Sequence, residues 1–579
     1  MIKKWILSEL SEEQITIQEK LAQELNISPI LTKMLVQRGI ETFEEARSFF
    51  RPSLSDLHDP FLMKDMDKAV ERLNYAMRQN EKIIIYGDYD VDGTTSVVLV
   101  YKFLKKFYPH LDFYIPSRYT EGYGVSIQGI DYACENGVTL IIALDCGIKD
   151  VGKVAYAKSK GIDFIICDHH TADEVLPPAA AVLDPKRFDC SYPFTELSGC
   201  GVGFKFMQAF AIVNNIEFKE LIPLLELVVL SIASDIVPIV DENRIMAHYG
   251  LKQINENPSV AIKSLIDVCK IGERVLTISD IVFKIGPRIN ASGRMKSALE
   301  VVKLFISNDS TFTKEKSDEI NAYNNDRKNL DRDITEKAIQ HIESNEEYRN
   351  RKSVVVYDPN WHKGVVGIVA SRLTEQYYKP TIVLTMSNGL VSGSARSVAD
   401  FNIYDAIDSC SDLLETFGGH LYAAGLSLLE KNVPEFIERF EKYVSERIQP
   451  EQTFPKINID TLVDFKELNS KFFRILLQFA PFGPGNMKPI FATKSIRDAG
   501  YSRVVGKMKE HLKMTVSDNS SSCVMNGIAF NMGHHYDYLQ SNNNLDICYT
   551  LEENTIYGNT AMQLMVRDIK SKDDFGLIP

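Results

Sequence analysis

Three aspartates stand at alternate positions in "KIIIYGDYDVDGTTS", residues 82–96: Asp88, Asp90 and Asp92. Carboxylates this close repel one another unless a cation lies between them. A calcium loop also opens D-x-D-x-D-G, but its twelfth position must be a bidentate Glu, and counted from Asp88 that position is Leu99. The flanks differ too. Ile83, Ile84 and Ile85 are β-branched and read as a buried strand rather than a helix. The acids therefore lie where a strand ends and Gly93 opens a helix, which is where open α/β sheets bind their ligands.

Two further strand-like runs end in residues of the same chemistry. "TLIIALDCG" delivers Asp145, and "DFIICDHH" delivers Asp168, His169 and His170. Asp235 closes the apolar run "VVLSIASDIV", where an unpaired carboxylate would be costly. Several carboxylates and a histidine converging at strand ends describe a divalent metal site. Oxygen and imidazole ligands without cysteine favour Mn²⁺ over Mg²⁺ or Zn²⁺. A pair of such ions suits phosphodiester hydrolysis. A single strand-end Asp is ordinarily a cap or turn residue. An adjacent His pair alone is weak as well, and His534–His535 in "GHHYD" reads as surface. The combination of D-x-D-x-D after one strand and D-H-H after another is what carries the reading.

The elements that must position these groups alternate. From residue 82, "KIIIYG", "DFYIP", "TLIIALDCG" and "DFIICDHH" are separated by helical stretches, so a parallel, doubly wound sheet is expected. Residues 1–75 read as a helical N-terminal region and 76–313 as the catalytic α/β domain. Residues 314–349 read as a long, solvated connecting helix, 350–450 as a second α/β domain, and 451–579 as a small β-barrel. A chain of 579 residues accommodates this many cores. No apolar run reaches the ~18–20 residues of a membrane span, and "MIKKWILSEL" is too briefly apolar for a secretion signal. Nine scattered cysteines without a C-x-x-C pair point to reduced thiols and a cytoplasmic protein. The net charge of −13 argues against indiscriminate coating of nucleic acid but not against a nuclease with a local basic channel.

The run Asp88/Asp90/Asp92, Asp145, Asp168-His169-His170 and Asp235 resembles the four motifs of the DHH phosphoesterase superfamily. "GPRINASGRM" (286–295), "NWHKGVVGIVASRL" (360–373) with "SGSARS" (392–397), and "GGHLYAAG" (418–425) narrow the resemblance to its RecJ-type branch of single-strand-specific 5′-to-3′ DNA exonucleases. The resemblance covers about 50–570. It implies a DHH domain, a long helix, a DHHA1 domain and an OB-like barrel around a central passage. It also implies two Mn²⁺ (or Mg²⁺) ions held by Asp90, Asp92, Asp145, His169 and Asp235, with Asp88 and His170 close at hand. Asp90, His169, His170 and His420 would serve catalysis. The implied product is 5′-mononucleotides, in DNA recombination and repair. Single-stranded DNA is the implied partner of a monomeric enzyme, with a helicase and a single-strand-binding protein as further partners.

Arginines should hold the phosphates. Arg288 and Arg294 flank Asn290, with no acid between 284 and 296. Arg396 lies between Ser394 and Ser397 in a small-residue loop whose N–H groups can approach an anion. His362 belongs to the neighbouring motif, and His420 follows Gly418 and Gly419, which let its loop come close to a phosphate. In the barrel, Arg503 and Lys507 stand with Tyr501 in a basic, aromatic stretch suited to single strands. Two other readings compete. A phosphoesterase acting on oligoribonucleotides or cyclic dinucleotides needs only the two catalytic domains. A metal-free scaffold would retain many buried carboxylates to no purpose.

Overall fold

The computed structural model describes residues 3–519, 523–541, 544–556 and 559–571. The chain divides into two compact units: residues 51–328 with 480–487, and residues 1–50, 329–479 and 488–579.

The first unit is built on a five-stranded parallel sheet, ordered Leu111–Tyr114, Lys82–Gly87, Val138–Leu144, Asp163–Cys167, Ala181–Leu183. Alternate residues of the inner strands enter different cores, as the two-residue period of a strand requires. Ile83, Ile85, Leu140 and Ile142 pack with helices Met66–Arg78, Val91–Lys105 and Gly199–Val213. Ile84, Tyr86, Ile141 and Ala143 pack against helices Ile127–Glu135 and Val151–Ser159. Both faces are covered, which is why these strands read as continuous apolar runs. From Lys82–Gly87 the chain moves to the edge strand Leu111–Tyr114, then crosses back to Val138–Leu144. The direction of winding therefore reverses at the ends of Lys82–Gly87 and Val138–Leu144. Asp88 and Asp145 follow those two ends directly. Helices Leu225–Ser234, Asp241–Glu256, Val260–Val268, Gly286–Met295 and Leu299–Ile306 follow in the same unit.

The helix Ser310–Ser344 carries the chain onward, and the division between units falls within it. In the second unit, a mixed five-stranded sheet is ordered Leu414–His420, Ala423–Leu428, Leu390–Arg396, Thr381–Ser387, Val354–Tyr357, with only the last pair parallel. Helices Val366–Tyr377 and Val433–Arg447 pack on it. Strands Phe491–Asp498, Leu545–Ile556, Asn559–Lys570, Val524–Ala529 and His511–Ser517 form a barrel closed by Arg497↔Ser517 pairing.

The helical reading of the N-terminus needs one correction. Helices Glu12–Leu25, Pro29–Val36 and Phe43–Phe50 are present, but Lys4–Leu7 is a strand paired in parallel with Lys456–Ile459. Trp5 is buried there, and its Nε1 donates to Asp568 Oδ2 at 2.8 Å. Four residues give no usable periodicity, and the partner strand lies at the far end of the chain.

Candidate metal centre

Each acid of the first motif is placed differently. Asp88 is 1% exposed, and among the described residues neither carboxylate oxygen has a partner in good hydrogen-bond geometry, the amides of Tyr89 and Gly124 being the nearby groups that favour its charge. Asp90 caps the helix Val91–Lys105, its Oδ1 accepting from Gly93 N at 3.0 Å. Position 93 must lack a side chain, because a Cβ would stand 2.4 Å from Asp88 O. Asp92, in the first turn, points into the protein. Its oxygens accept from Gly199 N and Cys200 N (both 2.7 Å) and from Ser231 Oγ (2.8 Å). The first two donors open the helix Gly199–Val213, where a carboxylate is also favoured by the helix dipole. A Cβ at Gly199 would lie 2.7 Å from Asp145 Cβ, so this glycine permits the approach of the second acid.

Asp145 occupies the left-handed region (φ 57°), a conformation that costs a non-glycine residue energy and is characteristic of functional positions. His169 Nε2 lies 3.1 Å from Asp145 Oδ1, 3.6 Å from Asp235 Oδ2 and 3.7 Å from Asp92 Oδ2. Asp235 stands at the C-terminal end of helix Leu225–Ser234. Ligand atoms of Asp145, His169 and His170, and of Asp92, His169 and Asp235, form two groups each within 4.8 Å. Asp168 does not join them. Its Oδ1 accepts from His170 Nδ1 at 2.7 Å and from the amides of His169 and His170, and its Oδ2 accepts from Ile148 N. It orients the two histidines instead.

Burial, reinforced by mutual repulsion, pushes the carboxyls of Asp88, Asp90 and Asp145 up, and that of Asp235 up to about 8. Burial lowers the His169 imidazole. Asp168 is the opposite case: burial works against its charge, but His170 and the surrounding amides outweigh it and hold the carboxyl down at about 2. The same bond raises His170 against the effect of burial. These residues fit divalent ions. Asp88 brings two oxygens that lack a hydrogen-bond partner among the described residues, His169 turns its Nε2 to three carboxylates, and the donor set is oxygen-rich with neutral imidazole.

Sequence reasoning missed Tyr123. Its hydroxyl lies 3.1 Å from His170 Nε2 and 3.3 Å from Asp145 O. The available signal was "GYG": Gly122 and Gly124 both adopt positive φ (85° and 84°), turning the chain around this tyrosine.

The helix Gly286–Met295 runs close by. A Cβ at Gly286 would be 2.8 Å from Ser234 Oγ, and one at Gly293 2.8 Å from Tyr89 O. Two glycines two turns apart thus lay this helix against the residues preceding Asp90 and Asp235. A turn of π-helix, Ile281–Ile285, precedes it, a feature frequent at functional sites. Arg288, Asn290 and Arg294 on this helix are half-buried, and Arg288 donates to Asn321 Oδ1 and Lys284 O.

The remaining phosphate candidates belong to the second unit. In the register His420↔Ala423↔Arg396, the side chains of His420 and Arg396 leave the same sheet face. Ser394, Gly425 and Gly418 form the next such row, two residues along. Arg396 donates to Ser394 Oγ and Ala395 O, and among the described residues no carboxylate pairs with it. Gly367, in the first turn of helix Val366–Tyr377, would bring a Cβ to 2.9 Å from Ser394 Oγ, so the helix N-terminus adjoins these residues. His362 Nδ1 accepts from Gly364 N just before that helix. Gly419 (φ 155°) has Ala423 O only 2.4 Å from where a Cβ would be. Ser397 differs from expectation: its hydroxyl donates to Phe401 O and closes the loop. Arg503 and Lys507 are exposed on the barrel, with Tyr501 78% exposed beside them in sequence.

Family models match three segments: the DHH family N-terminal domain over 82–232, the DHHA1 domain over 350–446 and the RecJ OB domain over 459–568. The chain is 34% identical to a single-stranded-DNA-specific exonuclease RecJ of Bacillus subtilis, over 98% of this chain and 70% of that protein. It is 31% identical to that of Haemophilus influenzae, over 94% and 97%. RecJ of Thermus thermophilus in complex with Mn²⁺ superposes with a TM-score of 0.84 at 24% identity, over 98% of this chain and 80% of that one. A second exonuclease RecJ bound to manganese matches at 28% identity and TM-score 0.59, over 69% and 97%. With its three domain types in this order and its similarity running nearly end to end, the chain belongs to the RecJ family of single-stranded-DNA-specific exonucleases.

Proposed function

We infer that the protein is a metal-dependent exonuclease that removes 5′-mononucleotides from single-stranded DNA. The observation that carries this is the convergence of Asp92, Asp145 and Asp235 on His169, with Asp88 and Asp90 alongside, in a chain of the RecJ family. Bound Mn²⁺ or Mg²⁺, two ions in this reading, supplies Lewis acidity that offsets phosphodiester charge and acidifies water. Asp88, Asp90, Asp92, Asp145, His169 and Asp235 would hold the ions. Asp92 also fixes the start of helix Gly199–Val213, so the fold and the ligand set are tied together.

His170 is the proton carrier in this reading. Asp168 engages its Nδ1 and raises the imidazole, leaving Nε2 to hold the proton given to the departing 3′ oxygen. Tyr123 fixes the ring from the other side. Arg288, Asn290 and Arg294 would position phosphates beside the metal centre. Arg396, Ser394, His420, His362 and the bare backbone of Gly418 and Gly419 would receive a terminal phosphate, as fork-shaped Arg donors and glycine amides do. Arg503 and Lys507 would track the strand across the barrel. The domain limits 1–75, 76–313, 314–349, 350–450 and 451–579 follow this division of labour. A cytoplasmic monomer acting with a helicase and a single-strand-binding protein in recombination and repair is part of the same proposal.

The test is digestion of an oligonucleotide labelled at either end, with Mn²⁺ or chelator, against a blunt duplex of the same sequence. Early release of a 5′-labelled mononucleotide from the single strand, only with metal, is expected. Equal digestion of the duplex, or release from the 3′ label first, would overturn the reading.

A further inference from the structure

Lys186 follows the edge strand Ala181–Leu183, whose Leu183 pairs with Cys167 and accepts from Asp168 N at 2.9 Å. It is therefore one strand over from the His169–His170 pair. Its backbone is pinned: Lys186 N donates to Asp184 Oδ1 at 2.7 Å, and the next residue, Arg187, is buried between Asp65, Asp189 and Val182 O. The ammonium is not pinned. Among the described residues it makes no hydrogen bond, and Glu196 Oε2 lies 3.7 Å away with 27% and 43% of the two side chains exposed. A loose, half-exposed pair of this kind contributes little to stability. Yet the Lys186 charge is felt at both His169 and Asp235. The five carboxylates of the cluster outweigh two divalent ions by one charge, so an incoming phosphodiester is favoured by further cations nearby, Lys186 in addition to Arg288 and Arg294.

We propose that Lys186 is a phosphate-binding residue at the metal centre, its ammonium leaving Glu196 to contact a non-bridging backbone oxygen of the entering single strand. The proposal rests on the exonuclease reading above. The rigid backbone and uncommitted head give a placed point charge, which is how lysine serves phosphate. The experiment compares Lys186→Gln, Lys186→Arg and the parental full-length enzyme. Single-strand binding is followed by fluorescence anisotropy across a KCl series in chelator, with Mn²⁺ affinity and kcat/KM measured separately. Lys186→Gln should reduce the slope of log affinity against log salt by roughly 0.7–1, one phosphate contact. It should also lower kcat/KM about tenfold while leaving Mn²⁺ affinity within twofold. Lys186→Arg should keep the parental slope. A parental slope and turnover in Lys186→Gln, or lost Mn²⁺ binding in either variant, would overturn the assignment. Should the parental enzyme itself leave DNA intact, the exonuclease reading fails instead, and the two failures are distinct.

Discussion

Asp88 and Asp92 lie four residues apart, and replacing each should move stability in opposite directions. Asp88 is buried, and burial first and Asp90 second push its carboxyl up. The Tyr89 amide, the Arg118 charge and the Gly124 amide offset only part of this. In the metal-free protein at pH 8 the charge is therefore a liability, and Asp88→Asn removes it without changing shape. The gain should be about 1–3 kcal/mol, the scale on which a displaced carboxyl titration changes stability. That corresponds to a rise of roughly 2–5 °C in the unfolding transition of the unit holding residues 51–328. With Mn²⁺ the order should reverse. An ion at 100 times its Kd adds ~2.7 kcal/mol to the parental protein, and the variant forfeits much of that. The assay is thermal unfolding of both proteins in chelator and in Mn²⁺ at pH 8. A lower transition for Asp88→Asn in chelator would show that its carboxylate is already satisfied by the protein and would refute the reasoning.

Asp92→Ala should destabilise the protein in chelator by about 3–5 kcal/mol, since it strands the amides of Gly199 and Cys200 in the interior; denaturant unfolding reads this, and an unchanged midpoint would contradict it. Mn²⁺ affinity should climb with pH across the range up to about 8. Asp235 keeps its proton between its ordinary range near 4 and about 8, so each binding event in that window must expel protons. Calorimetry in two buffers of different ionisation enthalpy measures that release, and none at pH 7 would count against it. Arg396→Ala should weaken binding of a 5′-phosphorylated oligonucleotide by tenfold or more, the worth of a charge-assisted hydrogen bond, with Mn²⁺ affinity intact; lost metal binding would mean its role is different.

The metal motifs were legible because their geometry is local. A strand, a turn and a helix start lie within a few residues in "KIIIYGDYDVDG", and in "DFIICDHH" the strand Asp163–Cys167 runs straight into the motif. Asp168 shows the limit of that legibility. Its position was apparent, but only hydrogen bonding to His170 and Ile148 separates an orienting acid from a metal ligand. Tyr123 and Lys186 lie in loops, which carry no periodicity, so nothing in their spacing singled them out. The Lys4–Leu7 strand and the Arg497↔Ser517 closure of the barrel depend on partners remote in sequence. Of the second His pair, read as surface, His534 is exposed in the short turn Gly533–His535 and His535 is half-buried.

The most direct test of the whole account is anomalous diffraction from crystals of the protein soaked in Mn²⁺. Two peaks are expected among Asp88, Asp90, Asp92, Asp145, His169 and Asp235, with Asp168 outside coordination distance. Peaks elsewhere, or none there in crystals of an enzyme that digests single-stranded DNA with Mn²⁺, would contradict the assignment of this cluster as the catalytic metal centre.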